Sequence, residues 1–288
     1  MGSLKKKEIS VEYAKRLAFG GLDARRSFLP DKVESYVLDD GTKESQASAR
    51  SQLNWLTQLI VPVYNEGENV SRLYQRLIEE QVPFDSLRFI YDSDDDTSLP
   101  YIEEIGRSDG RVFAVKNEYG RGVLNALRWG FAHCEAGPVI VLMGDNSDKL
   151  TIIPDMISAW YNGATLVCPS RYMPGGKQHG GPPLKTFLSR TAGKLLKLLG
   201  FPTADATNNF KLYDGQWLRS QNIESDGGFE IALELSYKCY RDGQEIQELP
   251  TEWWDRTAGE SRFKLWSWLP RYLRWYLKTL ALIIRRML

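Results

Sequence analysis

LTQLIVPVYNEGENVSRLYQRLIEE, residues 56–80, decides the fold. Its apolar run stops at Asn65, Glu66 and Gly67, which reads as a buried strand followed by a turn. ENVSRLYQRLIEE then carries helical apolar spacing. The same alternation continues downstream. LRFIYD (87–92), VFAVKN (112–117), GPVIVLMGD (137–145) and TLVCPSRY (165–172) read as strands. LPYIEEIGR (99–107), GVLNALRWGFAHC (122–134) and IIPDMISAWYNG (152–163) read as the helices between them. Alternation of this kind predicts an α/β fold with a mainly parallel sheet covered by helices on both faces.

The second half has a different texture. GGPPLKTFLSRTAGKLLKLLG (180–200) predicts a loop and an amphipathic helix. DATNNFKLYDGQWL (205–218) predicts a strand at the edge of the sheet. GGFEIALELSYKCYRDG (227–243) predicts a helix stopped by Gly243, and EIQELPTEWW (245–254) a short strand ahead of a basic loop. Three regions follow: a polar, partly helical extension over 1–52 with a short helix near residues 8–17, a catalytic domain over 53–264, and amphipathic helix over 265–288.

Hydrophobic residues make up 42% of the 288, enough for a sizeable core. Basic and acidic residues balance at 37 each, which argues against a nucleic-acid binder. The balance is uneven along the chain. Residues 256–288 hold eight basic residues and one acid, Glu260, which suggests an anionic partner for that end. Cys134, Cys168 and Cys239 are far apart and odd in number, with no disulfide or zinc spacing, as expected in a reducing compartment. Residues 1–20 lack the apolar core of a secretory signal, and MGSLKK lacks the Ser or Thr of a myristoylation site.

In open parallel sheets, ligands bind beyond the carboxyl ends of the strands. The candidate site residues lie there. Asp92 opens an acidic loop after the second strand; its carboxylate suits a base or ribose, and the competing reading is an acidic turn with a helix cap at Asp96 or Thr97. Asp145, Asn146 and Asp148 follow the fourth strand as clustered oxygen donors, the ligand type that Mg²⁺ and Mn²⁺ prefer. Arg256 and Arg262, with Gly259 between them, form a basic loop able to close over phosphates. Neither a GxxxxGK[ST] loop nor a GxGxxG fingerprint follows a strand, which excludes the common NTPase and dinucleotide readings.

IVPVYNEGENV, YDSDDDT, GRGVLNAL, VLMGDNSD, SRYMPGG, DATNNFKLY, GGFEIALEL and DRTAGESR, in that order, resemble family 2 glycosyltransferases, in particular the branch of dolichol-phosphate mannose synthase and polyprenyl-phosphate glycosyltransferases. The resemblance runs from about Leu59 to Trp275. It implies a GT-A (Rossmann-like) fold, a nucleotide-sugar donor (GDP- or UDP-sugar), a polyprenyl or dolichyl phosphate acceptor and Mg²⁺ or Mn²⁺. By it, Pro62, Tyr64 and Glu66 border the nucleotide and Asp92 contacts the base. Asp145 is the central metal ligand, with Asn146 or Asp148 nearby. Arg171 and Lys185 face phosphates, Asp205 lies beside sugar and acceptor, and Arg256 and Arg262 bind phosphate from a mobile loop. Two motifs depart from the commonest pattern: YDSDDD replaces paired aspartates before Gly-Ser, and Gly144 and Asn146 flank Asp145 where Asp-x-Asp is usual. The branch's multi-span C-terminal membrane region is also missing.

The tail predicts an interfacial helix instead. At 100° per residue, Arg271, Arg274, Lys278 and Arg285 share one face, and Leu273, Tyr276, Leu280, Ile283 and Met287 lie opposite. Trp266, Trp268 and Trp275 suit headgroup depth. The expected enzyme is an inverting hexosyltransferase, peripheral on the cytoplasmic face of a membrane. Transfer to a soluble or protein hydroxyl, and a non-catalytic nucleotide-sugar-binding scaffold, are the alternatives.

Overall fold

A computed structural model describes Arg50, residues 55–255 and residues 265–288, with side chains in the last segment from Trp268 onward. The extension over 1–49 and the basic loop with Arg256 and Arg262 lie outside the described residues.

The elements run β1 (Gln58–Pro62), α1 (Asn69–Glu79), β2 (Ser86–Tyr91), α2 (Leu99–Ser108), β3 (Val112–Lys116), α3 (Val123–Ala132), β4 (Pro138–Val141), α4 (Ile153–Tyr161) and β5 (Leu166–Ser170). After them come β6 (Lys177–His179), α5 (Pro183–Leu198), β7 (Lys211–Asp214), α6 (Gly215–Ser220), α7 (Ile231–Arg241), β8 (Ile246–Pro250), β9 (Glu252–Trp254) and α8 (Leu265–Met287). The main sheet has seven strands in the order β3-β2-β1-β4-β7-β5-β8. Every pairing in it is parallel except the two made by β7. β4 and β5 therefore run the same way, and the carboxyl ends of β1, β2, β4 and β5 reach one edge.

All five residues of β1 are buried, because helices cover both faces of its sheet. One apolar layer joins Leu73 and Leu77 of α1, Ile105 of α2 and Trp160 of α4. The other joins Leu127 and Phe131 of α3 with Ile231 and Leu235 of α7. A third cluster gathers Leu196 of α5, Phe201, Leu233 of α7, and Trp275 and Ile283 of α8. Each large apolar side chain so buried contributes about 1.5–3 kcal/mol.

Three expectations are corrected. Strand β7 does not lie at the edge; it is wedged antiparallel between β4 and β5. The Lys211 ammonium within it is fully buried and donates to the Asp205 carbonyl at 3.1 Å. EIQELPTEWW forms two strands, not one: β8 closes the main sheet and β9 pairs with β6 in a separate two-stranded sheet.

The third correction concerns α8. Its buried face is Trp275, Thr279 and Ile283, so Trp275 and Ile283 belong to the interior. Its basic row turns toward an acidic loop: Arg271 pairs with Asp226, and Arg274 and Lys278 both reach Glu224. The exposed row is Leu269, Leu273, Leu277 and Ile284. No helix among the described residues is long and apolar enough to cross a membrane.

Candidate active site

The loop after β1 is fixed by its neighbours. Asn65 takes a positive φ of 54°, and its amide donates to the Asp96 carboxylate. Glu66 N donates to Ser98 Oγ, and Asn69 Nδ2 donates to Glu66 Oε2. Pro62 is buried as the last residue of β1, and Tyr64 is exposed. Asp96 also accepts from Ser98 N and so organises the turn before α2, but the N-cap of that helix is Ser98, without a side-chain cap, and not Asp96 or Thr97. Asp92 binds Asn117 Nδ2 through one oxygen and Gly122 N, at 2.7 Å, through the other. It thereby holds the Gly120–Gly122 loop against the end of β2.

The loop after β4 carries the main carboxylates. Asn146 adopts a positive φ of 61°, its side chain donates to Asn69 O, and Arg76 of α1 donates to the carbonyls of Asn146 and Asp148. Gly144 lets the loop press on Glu66: a Cβ there would lie 3.2 Å from Glu66 Cγ. Asp145 is half-buried and accepts from Ser147 N. Asp148 is buried, and its Oδ2 has no hydrogen-bond partner. Burial, with the charge of Asp145 second, pushes the Asp148 carboxyl up to about 7. A desolvated carboxylate oxygen beside a second carboxylate is a costly arrangement unless a cation completes it. Asp145 and Asp148 could together hold a divalent metal, although no third His, Cys, Asp or Glu joins them among the described residues. The Asn146 amide group is already committed to α1 on its nitrogen side, while its Oδ1 is buried without a partner.

Arg171 follows β5 directly. Its Nε and Nη2 grip Asp205 at 2.7 and 2.8 Å, and its backbone N donates to the same carboxylate. Burial works against the Arg171 charge, but attraction and hydrogen bonds from Asp205 outweigh it and hold the guanidinium pKa above its ordinary value. The guanidinium also lies 4.9 Å from the Tyr172 ring and 5.9 Å from the Trp253 ring. The Asp205 side chain has no exposed surface. It was expected beside the sugar and acceptor; both of its oxygens accept from Arg171. Lys185 is half-buried in the first turn of α5.

β9 was not assigned a role from sequence, yet it brings the last piece. Trp253 bridges to Asp148, and Trp254 N donates to Ser147 O at 3.0 Å. Glu252 pairs with Lys149 at 3.0 Å. The strand that leads to Arg256, two residues beyond Trp254, is thus stitched to the carboxylate loop. The signal was the TEWW run ahead of the basic loop.

Comparison with known proteins gives the family and the fold. Residues 58–220 match the sequence profile of Glycosyl transferase family 2. The chain belongs to that family. Among its relatives, the undecaprenyl-phosphate mannosyltransferase of Micrococcus luteus is 28% identical over 70% of this chain and 85% of its own length. The polyprenol monophosphomannose synthase of Mycolicibacterium smegmatis is 26% identical over 78% and 86%. Among solved structures, glucosyl-3-phosphoglycerate synthase of Mycobacterium tuberculosis, crystallised with Mn²⁺, UDP and glucosyl-3-phosphoglycerate, superposes with a TM-score of 0.57 at 15% identity, covering 84% of each chain. The GT-A fold expected from the sequence is borne out, and the family 2 protein is a glycosyltransferase.

Proposed function

We propose that this glycosyltransferase moves a hexose from a nucleotide-sugar to a polyprenyl phosphate at a membrane surface, with inversion. One observation carries the reading. The Asp145–Asp148 loop lies against β9, which leads to Arg256, and Trp253 of the same strand stands beside Arg171. The two carboxylates and the Arg171 guanidinium thus both lie beside β9, and Arg256 follows that strand in the sequence. The acceptor class is supported by the relatives that act on undecaprenyl phosphate and polyprenol.

In this reading Pro62, Tyr64, Glu66 and Asp92 border the nucleotide. Asp145 and Asp148 would hold Mg²⁺ or Mn²⁺, which when bound would supply positive charge against the diphosphate. Arg171, Lys185, Arg256 and Arg262 bind phosphate oxygens and steady the charge that builds on them. A lipid phosphate oxygen forms the new bond to the anomeric carbon as the bond from that carbon to the diphosphate breaks. The products are a glycosyl phosphodiester and a nucleoside diphosphate. A phosphate monoester is already anionic near neutral pH, so no base need take a proton. That agrees with Asp205, whose oxygens face Arg171: it positions the guanidinium. The exposed apolar row of α8 gives the protein a peripheral hold on the membrane, on the cytoplasmic side where the nucleotide donor is found.

A transfer assay with radiolabelled nucleotide-sugar and polyprenyl phosphate tests the reading. Label is expected in the organic extract. Asp145→Ala should lose about 10²–10³-fold in rate, and Asp205→Asn less. The reverse ranking makes Asp205 a proton acceptor, and label confined to the aqueous phase points to a soluble or protein hydroxyl.

A further inference from the structure

Helix α8 begins over a loop that leads to the site. Trp268, Arg271 and Tyr272 stand at i, i+3 and i+4 on one side of its first turns, and all three meet residues 226–230. Arg271 pairs with Asp226 at 2.9 Å, and a Cβ on Gly227 would lie 2.3 Å from Arg271 Cδ. The Trp268 indole stacks on Phe229 with ring centres 5.5 Å apart, and a Cβ on Gly228 would lie 2.3 Å from Trp268 Cη2. Burial raises the Tyr272 hydroxyl pKa; the Glu230 charge adds to that shift and the Arg171 charge opposes it, so the ring stands near both.

The loop is fixed from within. Glu230 is buried, and its two oxygens accept from Gly227 N and Gly228 N, each at 2.7 Å. Asn209 Nδ2 donates to Phe229 O at 3.1 Å. Val123 crowds the loop from α3: its Cγ1 would lie 3.1 Å from the same Cβ on Gly228 that meets the indole. Indole, Gly228 backbone and Val123 methyl are therefore packed around one point. Val123 opens α3 directly after Gly122, whose N–H donates to Asp92 at 2.7 Å. Gly122 has no side chain and takes a φ of 107°, so its place depends on the residue that follows it.

We infer that Trp268 is a positioning residue for the nucleotide donor. With the Gly228 backbone, its ring holds Val123, and Val123 fixes where Gly122 presents its N–H to Asp92. The pocket shaped by that clasp is for a nucleoside diphosphate. The inference rests on the proposed place of Asp92 beside the nucleotide and goes beyond it, because it gives the tail a duty inside the catalytic domain.

Two readouts on the full chain test it: hydrogen exchange of the Gly122 amide by NMR, and calorimetry with GDP and UDP in the presence of Mn²⁺. In Trp268→Ala the Gly122 amide should exchange at least about tenfold faster than in wild type. Nucleoside diphosphate binding should weaken about three- to thirtyfold. In the transfer assay, KM for the donor should rise by a similar factor, with kcat within about twofold of wild type. Trp268→Phe should restore all three. Val123→Ala loosens the same contact without touching α8; it should repeat the changes, and it carries the test if Trp268→Ala does not fold. Trp275→Phe, in the buried face of the same helix, should lower the melting temperature and leave Gly122 and the nucleotide unmoved. Unchanged Gly122 exchange in both Trp268→Ala and Val123→Ala would overturn the inference, and so would faster exchange with nucleotide affinity intact. Equal losses in Trp275→Phe would also overturn it, since Trp268 would then serve only general packing. Wild-type protein that binds neither GDP nor UDP would count against the proposed reaction and take the donor role of Trp268 with it, while the exchange comparison would still decide whether Trp268 holds the clasp.

Discussion

Asp148 and Asp205 are two buried aspartates in adjoining loops, and they have opposite surroundings. Asp205 gives both oxygens to Arg171. Asp148 keeps one oxygen without a partner and is pushed toward neutrality. Equal burial therefore says little about a carboxylate's duty; the count of satisfied oxygens separates a positioning group from a group that awaits a ligand.

Four measurements would break or sharpen that contrast. Arg171→Ala strands the Asp205 charge and should cost about 3–5 kcal/mol in denaturant unfolding. A near-neutral result would mean that Asp205 has another cation. Asp148→Asn should do the reverse in metal-free protein, raising stability at pH 8 by roughly 2–4 kcal/mol. The sign follows from the direction of its shift. A carboxyl whose folded pKa is raised costs nothing when protonated in both states, and its penalty grows as pH climbs from the unfolded pKa through about 7. The variant's advantage should therefore fade toward pH 4. Mn²⁺ should raise the melting temperature of wild type more above pH 7 than below it, and should leave Asp148→Asn nearly unmoved; equal metal shifts in both proteins would remove Asp148 from the ligand set. The smallest effect is expected at Glu224, beside α8. Glu224→Gln should change stability by less than about 1 kcal/mol, although three cations surround it, because Glu224, Arg274 and Lys278 are solvent-accessible and the buried Lys238 keeps Glu234 as a partner.

The first half of the fold was legible because its strands are buried on both faces and read as unbroken apolar runs between amphipathic helices. Strand β7 was readable as a strand, but its place between β4 and β5 was not, since the partner that satisfies Lys211 is a backbone carbonyl in a loop, which no pattern announces. The three-residue strands β6 and β9 are too short to show a period. At the site, residue types were readable and pairings were not. Asp205 sits 34 positions from Arg171, and nothing between them marks the ion pair. The tail's amphipathic character was visible, but its orientation depended on Glu224 and Asp226, about fifty residues earlier.

Strand β7 has a consequence for how the chain acquires its shape. β4 and β5 do not touch each other; the strand between them arrives only at Lys211. As the chain leaves the ribosome, β1 to β4 can assemble early, while the flank of β4 waits through some seventy further residues with its hydrogen-bonding groups unmatched. Any pause or truncation before Lys211 leaves that flank open to pairing with another nascent copy. Synthesis of this protein should therefore be most vulnerable to misassembly during that interval, and least once β7 has zipped the two halves together.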